Sequence, residues 1–182
     1  MTVAKGSHSI GPQDGSVLVN VYKEGMAAKM GHDLTMEAKS WSGKANLDPD
    51  NPAASSVQIT IDPSSLEVVD AKGGAKALSD GDHKDIRKNM EKVLNTGRYN
   101  AISFESNSVS GSPPRLQLRG NLTIAGQSSP ADLSVEIDDS GRVTATTSIT
   151  HSQFGLKPFS KLGMLKVKDN VDITIRLQLP TS

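Results

Sequence analysis

Gly120-Asn121-Leu122-Thr123-Ile124-Ala125-Gly126, with Pro130 a few polar residues on, carries the strongest structural signal in this chain. From Leu116 the even positions Leu118, Leu122 and Ile124 are apolar, while Gln117, Arg119, Asn121 and Thr123 are polar. A two-residue period fits only a strand with one buried and one wet face. Gly126 and the polar residues before Pro130 read as the turn that closes it.

The same alternation recurs along the chain. Val57, Ile59 and Ile61 share a face, as do Ile102 and Phe104, then Leu133, Val135 and Ile137, then Val143, Ala145 and Ile149, then Val171, Ile173, Ile175, Leu177 and Leu179. With the Val17, Val19, Val21 run and a long stretch from Asp33 to Leu47, about eight strands are expected, separated by turn signals such as Asp138–Gly141 and Ser112-Pro113-Pro114. Strands polar on one face and joined by short loops are antiparallel. About eight of them close into a barrel that hides its edges and leaves room for side chains or one small ligand.

Composition agrees and excludes several function classes. The 182 residues suffice for one all-β domain with a sizeable core. Twenty basic and twenty acidic side chains cancel, so the chain as a whole has no electrostatic hold on nucleic acid. No cysteine is present, which removes disulfides, thiolate nucleophiles and cysteine metal sites. The first thirty residues contain no apolar run of signal-peptide length and no stretch approaches a membrane span; a soluble, cytoplasmic protein is the expectation.

One segment departs from the strand period. Between Ser79 and Gly97, Ile86, Met90, Val93 and Leu94 fall at i, i+4, i+7 and i+8, the spacing of an amphipathic helix. Ser79, Asp80 and Asp82 are candidate N-caps, and Gly97 is placed to end the helix with a positive φ. Upstream, Lys72–Lys76 reads as a mobile Gly and Lys loop. A lone helix among strands finds a place for its stripe across an open end of the barrel, as a lid.

The barrel interior is aliphatic, since the chain has only one Trp, two Tyr and three Phe. Two outcomes stay open: a tunnel, or a wall that flattens onto itself and packs to normal density. His32 shares parity with Leu34, Met36 and Ala38, and His151 continues the face of Ile149. Each imidazole has three readings: a structural corner bonded to backbone, a polar anchor for a ligand head group, or part of a metal site with His83 or Asp82. No metal-ligand spacing supports the last, so neither metal nor cofactor is expected.

Catalytic signatures are missing: no Gly-X-Ser-X-Gly elbow, no phosphate-cradling loop and no dinucleotide fingerprint occur. The chain does not read as an enzyme. Between Phe154 and Asp169, Lys157, Lys161, Lys166 and Lys168 meet one acid, with Phe154, Phe159, Leu162, Met164 and Leu165 among them. This is either a solvated connecting loop or a basic, apolar-tipped rim for an anionic head group or a membrane surface.

Four short patterns stand in register: Gly31-His32-Asp33-Leu34; Ile102-Ser103-Phe104-Glu105-Ser106; Gly120 to Ile124 with Gly126 and Pro130; and Phe154-Gly155-Leu156-Lys157-Pro158. Together, from about Gly15 to Pro180, the chain resembles the YceI-like family. The resemblance implies one domain over residues 1–182, an eight-stranded antiparallel lipocalin-like barrel with one α-helix over an end. It also implies a long apolar tunnel for a polyisoprenoid or isoprenoid-quinone chain. The better-known relatives carry a secretion signal and an Arg-Asp-X-His-Leu sequence at the helix start, where this chain has Asp82-His83-Lys84-Asp85-Ile86; with Gly31–Leu34, it looks like a cytoplasmic branch.

The expected function is to bind, store or transport an elongated apolar ligand. The residues expected to meet it are Leu34, Met36, Ile86, Met90, Phe104, Leu118, Leu122, Ile124, Val135, Ile149, Phe154 and Ile173, with His32, His151 and Lys157 at the head group or rim. A transient membrane contact and a homodimer are compatible with this. The competing classes are a non-catalytic interaction or stress-protective module with a filled core, and a barrel enzyme using His32 with Asp33.

Overall fold

The computed structural model describes residues 2–161 and 163–182. Leu162, which the sequence places in the basic rim, lies outside the described residues. The strands are β1 (Gly6–Ile10), β2 (Gly15–Glu24), β3 (His32–Ala38), β4 (Trp41–Leu47), β5 (Ser56–Ile61), β6 (Leu66–Gly73), β7 (Ile102–Ser112), β8 (Arg115–Ile124), β9 (Gln127–Ile137), β10 (Arg142–Thr150), β11 (Ser160–Lys161) and β12 (Leu165–Gln178). One helix, α1 (Asp80–Leu94), lies between β6 and β7. All strands belong to one curled antiparallel sheet, ordered β1-β4-β5-β7-β8-β9-β10-β12-β2-β3-β6, with β11 beside β12.

Two corners convert that order into a barrel. The expected strand from Asp33 to Leu47 bends at Lys39–Ser40, and β5 bends into β6 at the turn Pro63–Ser65. The bends are bonded to each other: the Lys39 N–H donates to the Ser65 carbonyl (3.2 Å) and the Asp62 N–H to the Ser40 carbonyl (3.0 Å). With β3–β4 and β5–β6 each taken as one bent stave, the pairings run from β2 around the sheet and return through β12 to β2. The ring has eight staves, as the sequence implies; the larger strand number comes from the two bends and the short β1 and β11.

The Gly120 segment falls inside β8 as read. Leu116, Leu118, Gly120, Leu122 and Ile124 are buried, while Gln117, Arg119 and Asn121 are exposed. Its closing turn is shorter than the sequence indicates. Ala125 (φ 48°) and Gly126 (φ 77°) alone join β8 to β9, and Pro130 lies within β9 opposite Asn121. Positive φ at both central residues gives the twist that two strands need to continue into a hairpin. Gly126 has a second reason to be glycine, because the Tyr99 ring lies 2.7 Å from where a Cβ would stand. Gly120 likewise sits under the Phe104 ring, 2.7 Å from its would-be Cβ.

Ser79 caps α1 with a reciprocal pair of bonds: its hydroxyl accepts from the Asp82 N–H, and the Asp82 carboxylate accepts from the Ser79 N–H. The left-handed residue at the other end is Asn95 (φ 49°), not Gly97. Asn tolerates this conformation through local bonding of its short side chain, so the helix stops two residues early. The Lys72–Lys76 segment is partly strand, since Lys72 and Gly73 still pair with Asp33 and His32 in β3.

On the outer wall, the Tyr22 hydroxyl and the Ser148 hydroxyl each donate to Asp172 (both 2.5 Å), joining β2, β12 and β10. These bonds hold the Asp172 carboxyl below its usual range, with Ser148 the larger contributor, and push the Tyr22 phenol up to about 12. A phenol pKa raised on folding contributes stability that is complete below the ordinary value of about 10 and is lost as pH rises through the folded value. An ultraviolet titration of the folded protein is therefore expected to contain a phenolate step near pH 12 that disappears in Tyr22→Phe. Ala125→Asn is expected to raise stability by about 1 kcal/mol, because alanine bears the cost of a left-handed backbone that asparagine largely avoids; urea denaturation measures it.

Candidate functional site: an apolar cavity beneath the helix

Two interruptions of the wall are covered by other elements. Among the described residues β6 pairs only with β3, so its far edge and β7 stand apart. The helix α1 covers this opening: Ile86, Met90, Val93 and Leu94 face inward, and Arg87 donates to the Ser64 carbonyl (3.2 Å). The second interruption lies between β9 and β10, which pair only over Ser134–Ile137 and Val143–Thr146. The turn Ser152–Phe154 fills it, fastened by the Gln153 side-chain amide donating to the Ser129 hydroxyl (3.0 Å). Phe154 is 1% exposed and serves as the plug, and Gly155 (φ 66°) lets the chain reverse behind it.

Between these two covers lies a cavity of about 260 Å³. It falls just under the range of roughly 300–1,000 Å³ common for small-molecule sites. Valines, isoleucines and leucines, most of them from β2, β5, β8 and β12, form most of its wall, with Phe104, Phe154 and Phe159. The polar residues that reach the wall are Asn89, Thr147, Thr150 and His151. No polar or charged side chain among the described residues is buried, so little in this space favours a charged ligand.

Ten of the twelve residues expected to meet a ligand line the cavity: Leu34, Met36, Ile86, Met90, Phe104, Leu122, Ile124, Ile149, Phe154 and Ile173. Leu118 and Val135 do not. They lie further along their strands, off the cavity wall, in the buried core with Leu116, Val109, Val143 and Ala145. Parity tells inward from outward but is blind to height along a stave, which is why these two residues were grouped with the others. Wall residues outside the expected set include Val17, Val19, Val21, Ile59 and Ile61. Their parity was legible; Asn89, a polar residue on an amphipathic helix, gave no signal.

The two histidines separate. His32 stands outside the cavity wall; its Nε2 donates to the Lys76 carbonyl (2.8 Å), and the ring covers Gly74, where a Cβ would collide with it. Asp33, the neighbour in the enzymatic reading, accepts the Lys23 N–H (2.9 Å), so the pair does not converge on the cavity. His151 does reach the wall. Its Nδ1 donates to the Asp169 carbonyl (2.9 Å), which leaves Nε2 as the open position of the ring. The Asp169 carboxyl is held below its usual range, first by the Ser152 hydroxyl and then by the Ser152 N–H. Lys157 is exposed and off the cavity wall. No cluster of three or more metal-ligating side chains exists among the described residues, and His83 is exposed on the side of the helix that faces β6, near Glu67 and Arg87.

A curled antiparallel barrel with a helix across its wall and an apolar interior defines a lipocalin-like fold. A sequence profile of the YceI-like domain matches residues 10–179, and the chain belongs to that family. The YceI protein of Escherichia coli O157:H7 is 29% identical over 103 residues, which cover 57% of this chain and 48% of that protein. The YceI protein of Salmonella arizonae is 26% identical over a stretch of the same extent. The matching region thus spans about half the length of these curated relatives. Among solved structures, Burkholderia cenocepacia BcnA superposes with a TM-score of 0.68 at 19% identity, covering 90% of this chain and 94% of that one. A Campylobacter jejuni YceI protein gives a TM-score of 0.56 at 17% identity, covering 79% and 82%. At such identities the likeness concerns the fold.

The division into a packed lower end and a hollow upper end is open to a direct test. Leu118→Trp is expected to cost about 1–3 kcal/mol by overpacking. Leu122→Trp, whose ring has the cavity to enter, is expected to cost less. Guanidinium unfolding of both variants compares them; equal losses would mean that Leu122 does not border a void.

Proposed function

We infer that this protein is a non-catalytic carrier that holds an elongated apolar ligand of the polyisoprenoid or isoprenoid-quinone type in the cavity beneath α1. The observation that carries this reading is the cavity itself: about 260 Å³ of aliphatic-walled space. A module with a filled core would have no reason to leave it. Membership of the YceI-like family supports the same reading.

The energetics favour a chain over a compact polar ligand. Burying hydrocarbon is worth about 0.8 kcal/mol per methylene-sized group, or roughly 3–4 kcal/mol gross for a five-carbon prenyl unit, before the cost of ordering the chain. A head-group hydrogen bond adds about 1 kcal/mol net. Affinity therefore follows the length of hydrocarbon accommodated, and His151 with Thr147 or Thr150 sets orientation.

Native mass spectrometry of the freshly purified protein, followed by solvent extraction, is expected to yield a prenyl-chain lipid. Folded Leu122→Trp is expected to lose it, because the indole takes the same space. A protein that arrives without ligand and binds no prenyl alcohol or quinone when offered one would overturn the assignment.

A further inference from the structure

Four large apolar side chains stand exposed among the described residues: Met26 (91%), Met30 (71%), Met164 (50%) and Val69 (46%). Val69 is the extra residue of a bulge in β6, which turns it outward. The three methionines have no such explanation, and they share one place. Met26 and Met30 occupy the loop between β2 and β3, and Met164 the loop between β11 and β12.

These loops form one platform. The Ala27 N–H donates to the Met164 carbonyl (2.9 Å). Gly25 (φ 99°) lies against that same carbonyl with no space for a Cβ, and Gly31 lies under Leu165, 2.6 Å from where its Cβ would be. The platform stands at the hollow end of the barrel, since Val21, Leu34 and Val167 are the cavity-wall residues nearest it on their strands.

The charge around the methionines is one-sided. Residues 23–33 and 157–169 hold six lysines (23, 29, 157, 161, 166 and 168) against three acids, Glu24, Asp33 and Asp169, in a chain whose net charge is zero. Two of those acids are hydrogen-bonded within the chain, Asp33 by the Lys23 N–H and Asp169 by Ser152. Among the described residues, Lys29, Lys161, Lys166 and Lys168 have no ion pair.

We propose that this methionine-tipped, lysine-ringed end docks on the surface of a bilayer containing anionic lipids. The thioether side chains enter the boundary between head groups and acyl chains, and the ammonium groups meet lipid phosphates. A protein partner is the poorer fit. The centre of a protein interface is depleted in lysine, whereas here lysines separate the apolar tips, which a fluid surface accommodates one by one. Methionine's flexible, polarizable chain suits such a surface. The proposal rests on these exposed side chains and not on what the cavity holds.

Co-sedimentation of the full chain with extruded vesicles tests it, using phosphatidylcholine alone and phosphatidylcholine with about a third phosphatidylglycerol. Binding is expected to be at least about tenfold stronger on the anionic vesicles and to fall away at high salt. Lys161→Glu/Lys166→Glu/Lys168→Glu is expected to weaken it about tenfold or more, and Met26→Ser/Met30→Ser/Met164→Ser about fivefold or more. All six positions are on the platform surface, so both triple variants are expected to melt at the wild-type temperature. Wild-type protein that stays in the supernatant, or binds neutral and anionic vesicles equally, would overturn the proposal, as would folded variants that bind undiminished. A wild-type dimer dissolved by the methionine substitutions, with no vesicle binding, would assign the platform to contacts between copies instead.

Discussion

The barrel closes through hydrogen bonds between two corners, and the rest of the architecture answers to that closure. Lys39–Ser40 and Asp62–Ser65 bind each other across the bends, while the wall opens between β6 and β7 and between the far parts of β9 and β10. A diverging wall exposes unpaired backbone and apolar side chains, both costly in water. Covering elements are therefore obligatory. The helix α1 and the Ser152–Phe154 turn are those elements, and each lies in the chain next to a strand bordering the opening it covers.

Covering a gap differs from filling a core. No residue of α1 is fully buried, although its apolar stripe faces the interior. The stripe lines one side of the cavity, and aliphatic side chains of the staves line the rest. Further along the staves the same residue types are buried away from the cavity wall, as with Leu116, Leu118, Val135 and Val143. One composition thus serves both a cavity wall and a packed core. Aromatic side chains are the usual means of filling such a space, and this chain spends its few at particular positions: Phe104 over Gly120, Tyr99 over Gly126 and Phe154 as the plug.

This division explains which features were legible in the sequence. Leu118, Leu122 and Ile124 reveal a strand and its buried face because period 2 is a local property of pleated backbone. Ile86, Met90 and Val93 reveal the helix for the same kind of reason. The corner at Lys39–Ser40 left no mark, since neither residue is a breaker and the bend is imposed by bonds to residues some twenty-five positions away. Height along the barrel is likewise a tertiary property, so Leu118 and Val135 resembled Leu122 and Ile149 although they lie at the packed end. His32 and His151 looked equivalent by parity; only the loop that brings the Lys76 carbonyl to one, and the turn that brings Asp169 to the other, tells them apart.

The polar groups that reach the cavity follow from the same geometry. Where a ladder is intact, each backbone group is paired and inward side chains can be wholly apolar. Where it is interrupted, donors and acceptors must be met by side chains, and polar residues enter the wall. Thr147 illustrates this: it sits where β9 and β10 part, and its hydroxyl donates to the Asp132 carbonyl (2.8 Å) that lacks a strand partner there. Thr150 and His151 follow at the same opening, while Asn89 comes from the cover of the other. An apolar chain inside this barrel would meet hydrogen-bonding groups only at the two openings. In the proposed carrier, a ligand's polar end would be directed to the wall's interruptions, and its hydrocarbon to the space between them.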